Sequence, residues 1–213
     1  MNEQEKIIKQ IISSISKNTQ QLEGNYIIGI DGYSCGGKTS LTENLRQWLE
    51  VDYPVSIFHI DDHIRTREHR YSTGYEQWYE LYHLQWDTAY IKEALLKPLK
   101  NNSSQVKLQY YNKDKDTIIE NTSKIIPKSV VIIEGVFLQR SEWRELFDYM
   151  IFVHCPREIR FKREIVRSNY KGSIDELVAK YKERYWAAED YYERIYKPMG
   201  TADLIVDNYN QCC

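Results

Sequence analysis

Apolar residues recur along this chain with two different periods, and the switches between them mark out its elements. Ile7, Ile8, Ile11, Ile12 and Ile15 fall three and four apart among polar neighbours, which predicts an amphipathic helix over about residues 4–22, within an N-terminal segment 1–23. Gly24 and Asn25 break that pattern. Residues 26–30 are then short, apolar and β-branched, as a buried strand is, and a glycine-rich turn leads from them into a helical pattern over about 39–50. A second apolar run, VSIFHI at 55–60, ends at Asp61 and Asp62. Strand, turn, helix and strand in this order make a βαβ unit, and such units build parallel sheets.

Further buried-strand patterns stand at 130–133, 149–153 and 204–206, with helical patterns between them. Residues 105–127 alternate around a polar turn and predict an inserted β-hairpin. Tyr75, Trp78, Tyr79, Tyr82 and Trp86 share one helical face, which reads as a packing surface rather than a base-stacking platform. No internal repeat or low-complexity tract interrupts the chain. The expected fold class is α/β: one domain over residues 1–213, a parallel sheet with helices on both faces and an inserted hairpin.

Charge narrows the function. With 29 Lys+Arg against 31 Asp+Glu the formal net charge is -2, which argues against a protein that coats nucleic acid or an anionic membrane. No apolar run approaches the roughly 18 residues of a membrane span. The N-terminal residues lack the continuous apolar core of a signal peptide. Cys35, Cys155, Cys212 and Cys213 form neither a disulfide framework nor a zinc spacing. The expectation is a reduced, cytoplasmic protein with no nucleic-acid or membrane partner. Whether it forms a homo-oligomer stays open.

The candidate chemistry begins in the glycine turn. Gly32-Tyr33-Ser34-Cys35-Gly36-Gly37-Lys38-Thr39 satisfies G-x-x-x-x-G-K-[ST] between a predicted strand and a predicted helix, with Ser40 following. Glycines let successive backbone N–H groups turn inward on an anion, and the helix start adds its positive end. Lys38 would reach the β- and γ-phosphates, and the Thr39 hydroxyl would help hold Mg²⁺. An ordinary turn is the plain alternative. A GTP switch protein would need N-K-x-D, but Asn112-Lys113-Asp114-Lys115 ends in the wrong residue and no D-x-x-G occurs. A small phosphoryl-transfer enzyme or a nucleotide-gated regulator remains.

The glycine turn, Asp61-Asp62, Ile132-Ile133-Glu134-Gly135 and Ala202-Asp203-Leu204-Ile205-Val206, in that order, resemble the uridine kinase family, with its nicotinamide riboside kinase and phosphoribulokinase relatives. The similarity runs over roughly residues 24–208. It implies a P-loop kinase fold with a helical lid at about 157–175, ATP and Mg²⁺ as cofactors, and a small nucleoside-like acceptor. By the same resemblance Asp61 takes the proton from the acceptor hydroxyl, and Glu134 holds Mg²⁺ through water. The position of Asp61 at a strand's C-terminal end agrees, although Asp61 and Asp62 could instead cap a helix. Leu84-Gln85-Trp86-Asp87 resembles the pattern in which an aspartate grips ribose hydroxyls, so Asp87 is expected at the substrate, with helix capping as the alternative. Tyr111 falls beside the expected base site, but Asn112 replaces the family's Asp and its later His is missing. That departure leaves another small alcohol, a sugar or a pantothenate-like metabolite, as an alternative acceptor. Arg160, Arg163 and Arg167 stand in the lid position near one helical face, where they would close over the transferred phosphate; a solvated basic face is the plain reading. His59, His63 and His69 are expected to be ordinary surface or pocket histidines. A nucleotide-binding regulator without turnover is the reading from another class; it would not need Asp61.

Overall fold

The computed structural model describes residues 3–19 and 24–208. The side chains of Ile7 and Ile15, the expected continuation of the first helix beyond residue 19, and Cys212 and Cys213 lie outside the described residues. The strands are β1 (Tyr26–Asp31), β2 (Val55–His59), β3 (Gln105–Asn112), β4 (Thr117–Lys124), β5 (Val130–Gly135), β6 (Tyr149–His154) and β7 (Leu204–Asp207). Five form one parallel sheet in the order β2-β5-β1-β6-β7. β3 and β4 pair antiparallel as the expected hairpin, with Gln105 opposite Lys124 and Asn112 opposite Thr117.

Successive strand residues point to opposite faces, and both faces are covered. Ile27, Val131, Ile133 and Met150 enter one core with Ile91, Leu95, Leu99 and Tyr192. Their neighbours Ile28, Ile30, Val130, Ile132 and Ile151 enter the other, against Ile11 of helix Glu3–Thr19 and Leu45 and Leu49 of helix Lys38–Leu49. This double burial is why β1 and β5 read as unbroken apolar runs. No helix among the described residues is long and apolar enough to cross a membrane.

Several boundaries differ from expectation. β2 stops at His59, and Ile60–His63 is a 3₁₀ turn that carries Asp61 out over the sheet edge. The aromatic face is also split. Tyr75 precedes helix Gln77–Tyr79 and stacks, exposed, on Tyr79 with centroids 4.6 Å apart. Trp86 lies past the end of that helical run, buried, with its indole N–H donating to the Ile60 carbonyl at 3.0 Å. Tyr82 and Trp86 therefore pack as expected, while Tyr75 does not.

One buried carboxylate ties the sheet to what surrounds it. Asp31, at the end of β1, is fully buried and accepts four hydrogen bonds. Gly32 N–H (2.8 Å) and Leu138 N–H (3.3 Å) donate to Oδ1; the Tyr192 hydroxyl (2.7 Å) and Gln139 Nε2 (3.1 Å) donate to Oδ2. Burial raises the carboxyl above the usual range, and each of the four donors works against that rise. Asp31→Ala would strand four buried donors, each costing about 1–3 kcal/mol when unsatisfied. Urea denaturation is expected to show a loss of at least about 3 kcal/mol. A loss below about 1 kcal/mol would mean that water replaces Asp31 without cost.

Candidate active site

The glycine turn leaves β1 and enters helix Lys38–Leu49 through Gly37, whose φ of 95° lies in the left-handed region. Gly32 passes so close to β6 that a Cβ there would sit 2.6 Å from the Val153 carbonyl oxygen. Both positions need glycine. Residues 34–40 run along one side of a cavity of about 440 Å³, so Ser34, Cys35, Gly36, Gly37, Lys38, Thr39 and Ser40 all reach it; Gly32 shapes the turn from behind. Asp61, Glu134, Arg163, Arg167 and Asn208 complete the lining. The Asn208 side-chain amide donates to the Gly36 carbonyl at 2.8 Å and fastens the chain after β7 to the turn.

Lys38 Nζ donates to the Tyr33 carbonyl at 3.2 Å, folded back across the cradle. The Thr39 hydroxyl donates to Glu134 at 3.0 Å, and His59 Nδ1 lies 2.7 Å from the same carboxylate. Burial alone would raise the Glu134 carboxyl, but His59, Lys38 and Thr39 outweigh it and hold it low. The hydrogen bond to Glu134 raises His59 in turn. A hydroxyl and an ionised carboxylate side by side are hard oxygen donors that fit Mg²⁺, which takes few protein ligands and completes its shell from phosphates and water. No group of three or more His, Cys, Asp or Glu among the described residues could hold a metal by itself. His59 pairs with Glu134, His63 with the Gln109 carbonyl and His69 with the Thr66 hydroxyl.

Asp61 is solvent-accessible yet crowded by protein on its other sides. Crowding raises its carboxyl, Lys38 opposes the rise, and Glu134 and Asp62 add to it. Water reaches the group on its open side, so it can exchange its proton with solvent.

The three arginines of the expected lid divide. Helix Arg157–Ser168 ends at left-handed Asn169, and the next helix begins at Ile174. Arg163 lines the phosphate cavity, donating to the carbonyls of Cys35 at 3.3 Å and Asn208 at 2.9 Å. Arg167 also lines it and donates to Glu164 at 2.7 Å. Arg160 needs correction as a substrate residue: it is 5% exposed and locked in a bidentate pair with Glu189, both bonds 2.8 Å. Its Nε donates to the Cys155 carbonyl and its Nη1 reaches Ser34 O. It braces the turn from below rather than closing over it.

A second cavity, of about 390 Å³, shares Ser34, Asp61 and Arg167 with the first. Its walls are aromatic, with Tyr71, Trp86, Phe137, Tyr181 and Tyr185, and its polar groups include Arg70, Gln85, Lys113, Glu164 and Glu189. Asp87 is not among them, which corrects its expected role. It caps the helical run from Thr88, accepting from Tyr90 N–H at 2.9 Å, and lines a separate pocket with His63, His69 and Ile118. Tyr111 lies behind the wall, its hydroxyl donating to Asp116 at 2.9 Å and its ring under Arg70. Sequence reasoning missed Arg70, Tyr181, Tyr185 and Asn208. Only Asn208, two residues after the last apolar run, left a signal.

Two substitutions test these placements. Lys38→Ala should weaken binding of ATP more than of AMP in calorimetric titration, because its charge answers the outer phosphates. Equal affinities in variant and parent would remove Lys38 from the phosphate site. Arg160→Ala should cost about 3–5 kcal/mol of stability, as expected when a buried partner such as Glu189 is left unpaired. A surface lid arginine would cost under about 1 kcal/mol.

The chain resembles known proteins over most of its length. A uridine kinase from Macrococcus caseolyticus is 34% identical over 149 residues, covering 66% of this chain and 68% of that protein. A uridine kinase from Chlamydia pneumoniae is 30% identical over 199 residues, covering 87% and 83%. The solved structure of a possible uridine kinase from Bacillus stearothermophilus superposes with a TM-score of 0.74 at 35% identity, covering 94% of this chain and 99% of the other. Residues 27–212 match the phosphoribulokinase / uridine kinase family, and the protein is a P-loop kinase that belongs to it.

Proposed function

We propose that the protein transfers the γ-phosphoryl group of ATP to a hydroxyl of a small molecule, with nucleosides as the first acceptor class to examine. One observation carries this reading: Asp61 lines both the phosphate cavity and the aromatic one, so a carboxylate stands where the two substrates would meet. The relatives named uridine kinases support a nucleoside. The capping role of Asp87 takes away one contact expected for ribose and keeps other small alcohols in view.

Asp61 orients the acceptor hydroxyl and accepts its proton as the oxygen attacks the γ-phosphorus. A new O–P bond forms while the bond from phosphorus to the β–γ bridging oxygen breaks, and ADP departs with that electron pair. Lys38 and the turn's N–H groups hold the phosphates, and Arg163 and Arg167 add positive charge beside them. Thr39 and Glu134 are the residues that would hold Mg²⁺, which neutralises phosphate charge when bound. Asp61 returns its proton to solvent afterwards.

Asp61→Asn keeps the shape and a hydrogen bond but cannot take the proton. Its kcat should fall roughly 10²- to 10⁴-fold with ATP affinity and melting temperature near parental. The parent adds a second sign. A base works ionised, so kcat/KM should rise with pH through a pKa above that of an ordinary aspartate, and Asp61→Asn should lose this limb. Steady-state assays across pH decide it; near-parental turnover in Asp61→Asn would remove Asp61 from the chemistry.

A further inference from the structure

The aromatic cavity carries positive charge that no carboxylate among the described residues pairs with. Its own acids are already engaged: Glu189 with Arg160, and Glu164 with Arg167 at 2.7 Å and the Cys35 thiol at 3.0 Å. Asp61 stands at the phosphate end, under the field of Lys38. Arg70 is 5% exposed, and among the described residues no carboxylate lies within ion-pair distance of it. Its Nε donates to the Arg65 carbonyl at 2.6 Å, and Nη1 makes only a long 3.5 Å contact with the Tyr71 hydroxyl. The guanidinium is otherwise held between aromatic rings, 5.1 Å from the Tyr71 centroid and 4.8 Å from that of Tyr111. Asp116 feels this charge at a distance but is held by the Arg67 N–H and the Tyr111 hydroxyl, both at 2.9 Å.

Other buried arginines are treated differently. Arg184 meets Glu80 at 3.3 Å. Arg140 has no carboxylate partner among the described residues either, but it is 1% exposed, stacked on Tyr82 and Trp143, and lines neither of these two cavities. Arg70 alone of these opens into the acceptor cavity, beside exposed Lys113 on the hairpin turn, whose backbone carbonyl is pinned by Arg67 Nη2 at 3.1 Å. A guanidinium buried without a counter-charge is costly, and its planar fork fits an oxyanion. Stacking on two rings fixes the fork before any ligand arrives.

We infer that the acceptor alcohol also carries an oxyanion, a carboxylate or a phosphate, seated on Arg70 and Lys113 while its hydroxyl faces Asp61. This rests on the phosphoryl-transfer reading and narrows its acceptor. The aromatic walls leave room for a ring between the two ends, so an acidic nucleoside and an acidic sugar both suit the cavity.

The test uses matched pairs that differ by the anion: uridine and orotidine, glycerol and glycerate for a carboxylate, ribose and ribose 5-phosphate for a phosphate. Each is titrated calorimetrically into protein saturated with Mg²⁺ and a non-hydrolysable ATP analogue, which keeps the anion off the phosphate turn. Each is then assayed with ATP. At least one anionic member should bind roughly ten- to a hundredfold tighter than its neutral partner, as charge-assisted hydrogen bonds allow. Arg70→Gln should abolish that preference while analogue affinity is kept, and Arg70→Lys should retain part of it. If Arg70→Gln does not fold, Lys113→Ala at its exposed position should still cost the anionic member about two- to fivefold. Neutral members that bind or react as well as their partners would overturn the anion assignment, as would failure of every anionic member to bind. Either result with analogue binding and transfer to a neutral alcohol intact leaves the kinase reading standing; loss of analogue binding in the parent would remove both.

Discussion

The carboxylate of Asp31 is the constraint on which the rest depends. It ends the central strand, and its four donors come from three separate places: the first residue of the glycine turn, the backbone of Leu138 and side chain of Gln139 after β5, and Tyr192 of the C-terminal helical run. Tyr192 makes the link continuous, because its hydroxyl donates to Asp31 while accepting from Gln139 N–H at 2.7 Å. A turn that must present backbone N–H groups to phosphate cannot wander, and this buried network fixes where it begins.

Strand order does the remaining work. Because β5 lies between β1 and β2, the C-terminal ends of these three strands are neighbours, although their residues are far apart in sequence. The glycine turn, Glu134 and Asp61 are therefore set side by side by the sheet itself. The 3₁₀ turn after His59 then swings Asp61 toward the second cavity while Glu134 stays beside Thr39. One carboxylate stands beside the Thr39 hydroxyl and the other at the junction of the two cavities, from adjacent strands and with opposite displacements of their acidity.

What was legible in the sequence is what depends on local geometry. The glycine turn and Asp61 each follow an apolar strand, so pattern places them at one end of a parallel sheet, while Glu134 was singled out by the family resemblance and stands at the end of the strand between them. Arg160 could not be read this way: its role is set by Glu189, 29 residues on, and without that partner a buried brace looks like a surface arginine. Asp87 shows the reverse error. A motif suggested a ligand, but the N–H of Tyr90, three residues on, takes the carboxylate for a helix cap. Arg70 carried no motif at all, since what singles it out is a missing counter-charge. Boundary shifts such as β2 ending at His59 follow from a tightening of the chain that periodicity does not report.

The thiol within the phosphate turn has a consequence for the protein's chemical durability. Burial and its hydrogen bond to Glu164 push Cys35 up to about 11. At neutral pH only roughly one molecule in ten thousand then carries the reactive thiolate. A cysteine lying against the phosphates would ordinarily expose such a loop to alkylating and oxidising agents. Burial does most of this and the Glu164 carboxylate adds to it, so the sulfur in the cradle stays a protonated, weakly nucleophilic thiol, and replacing Glu164 would undo only the smaller part of that protection.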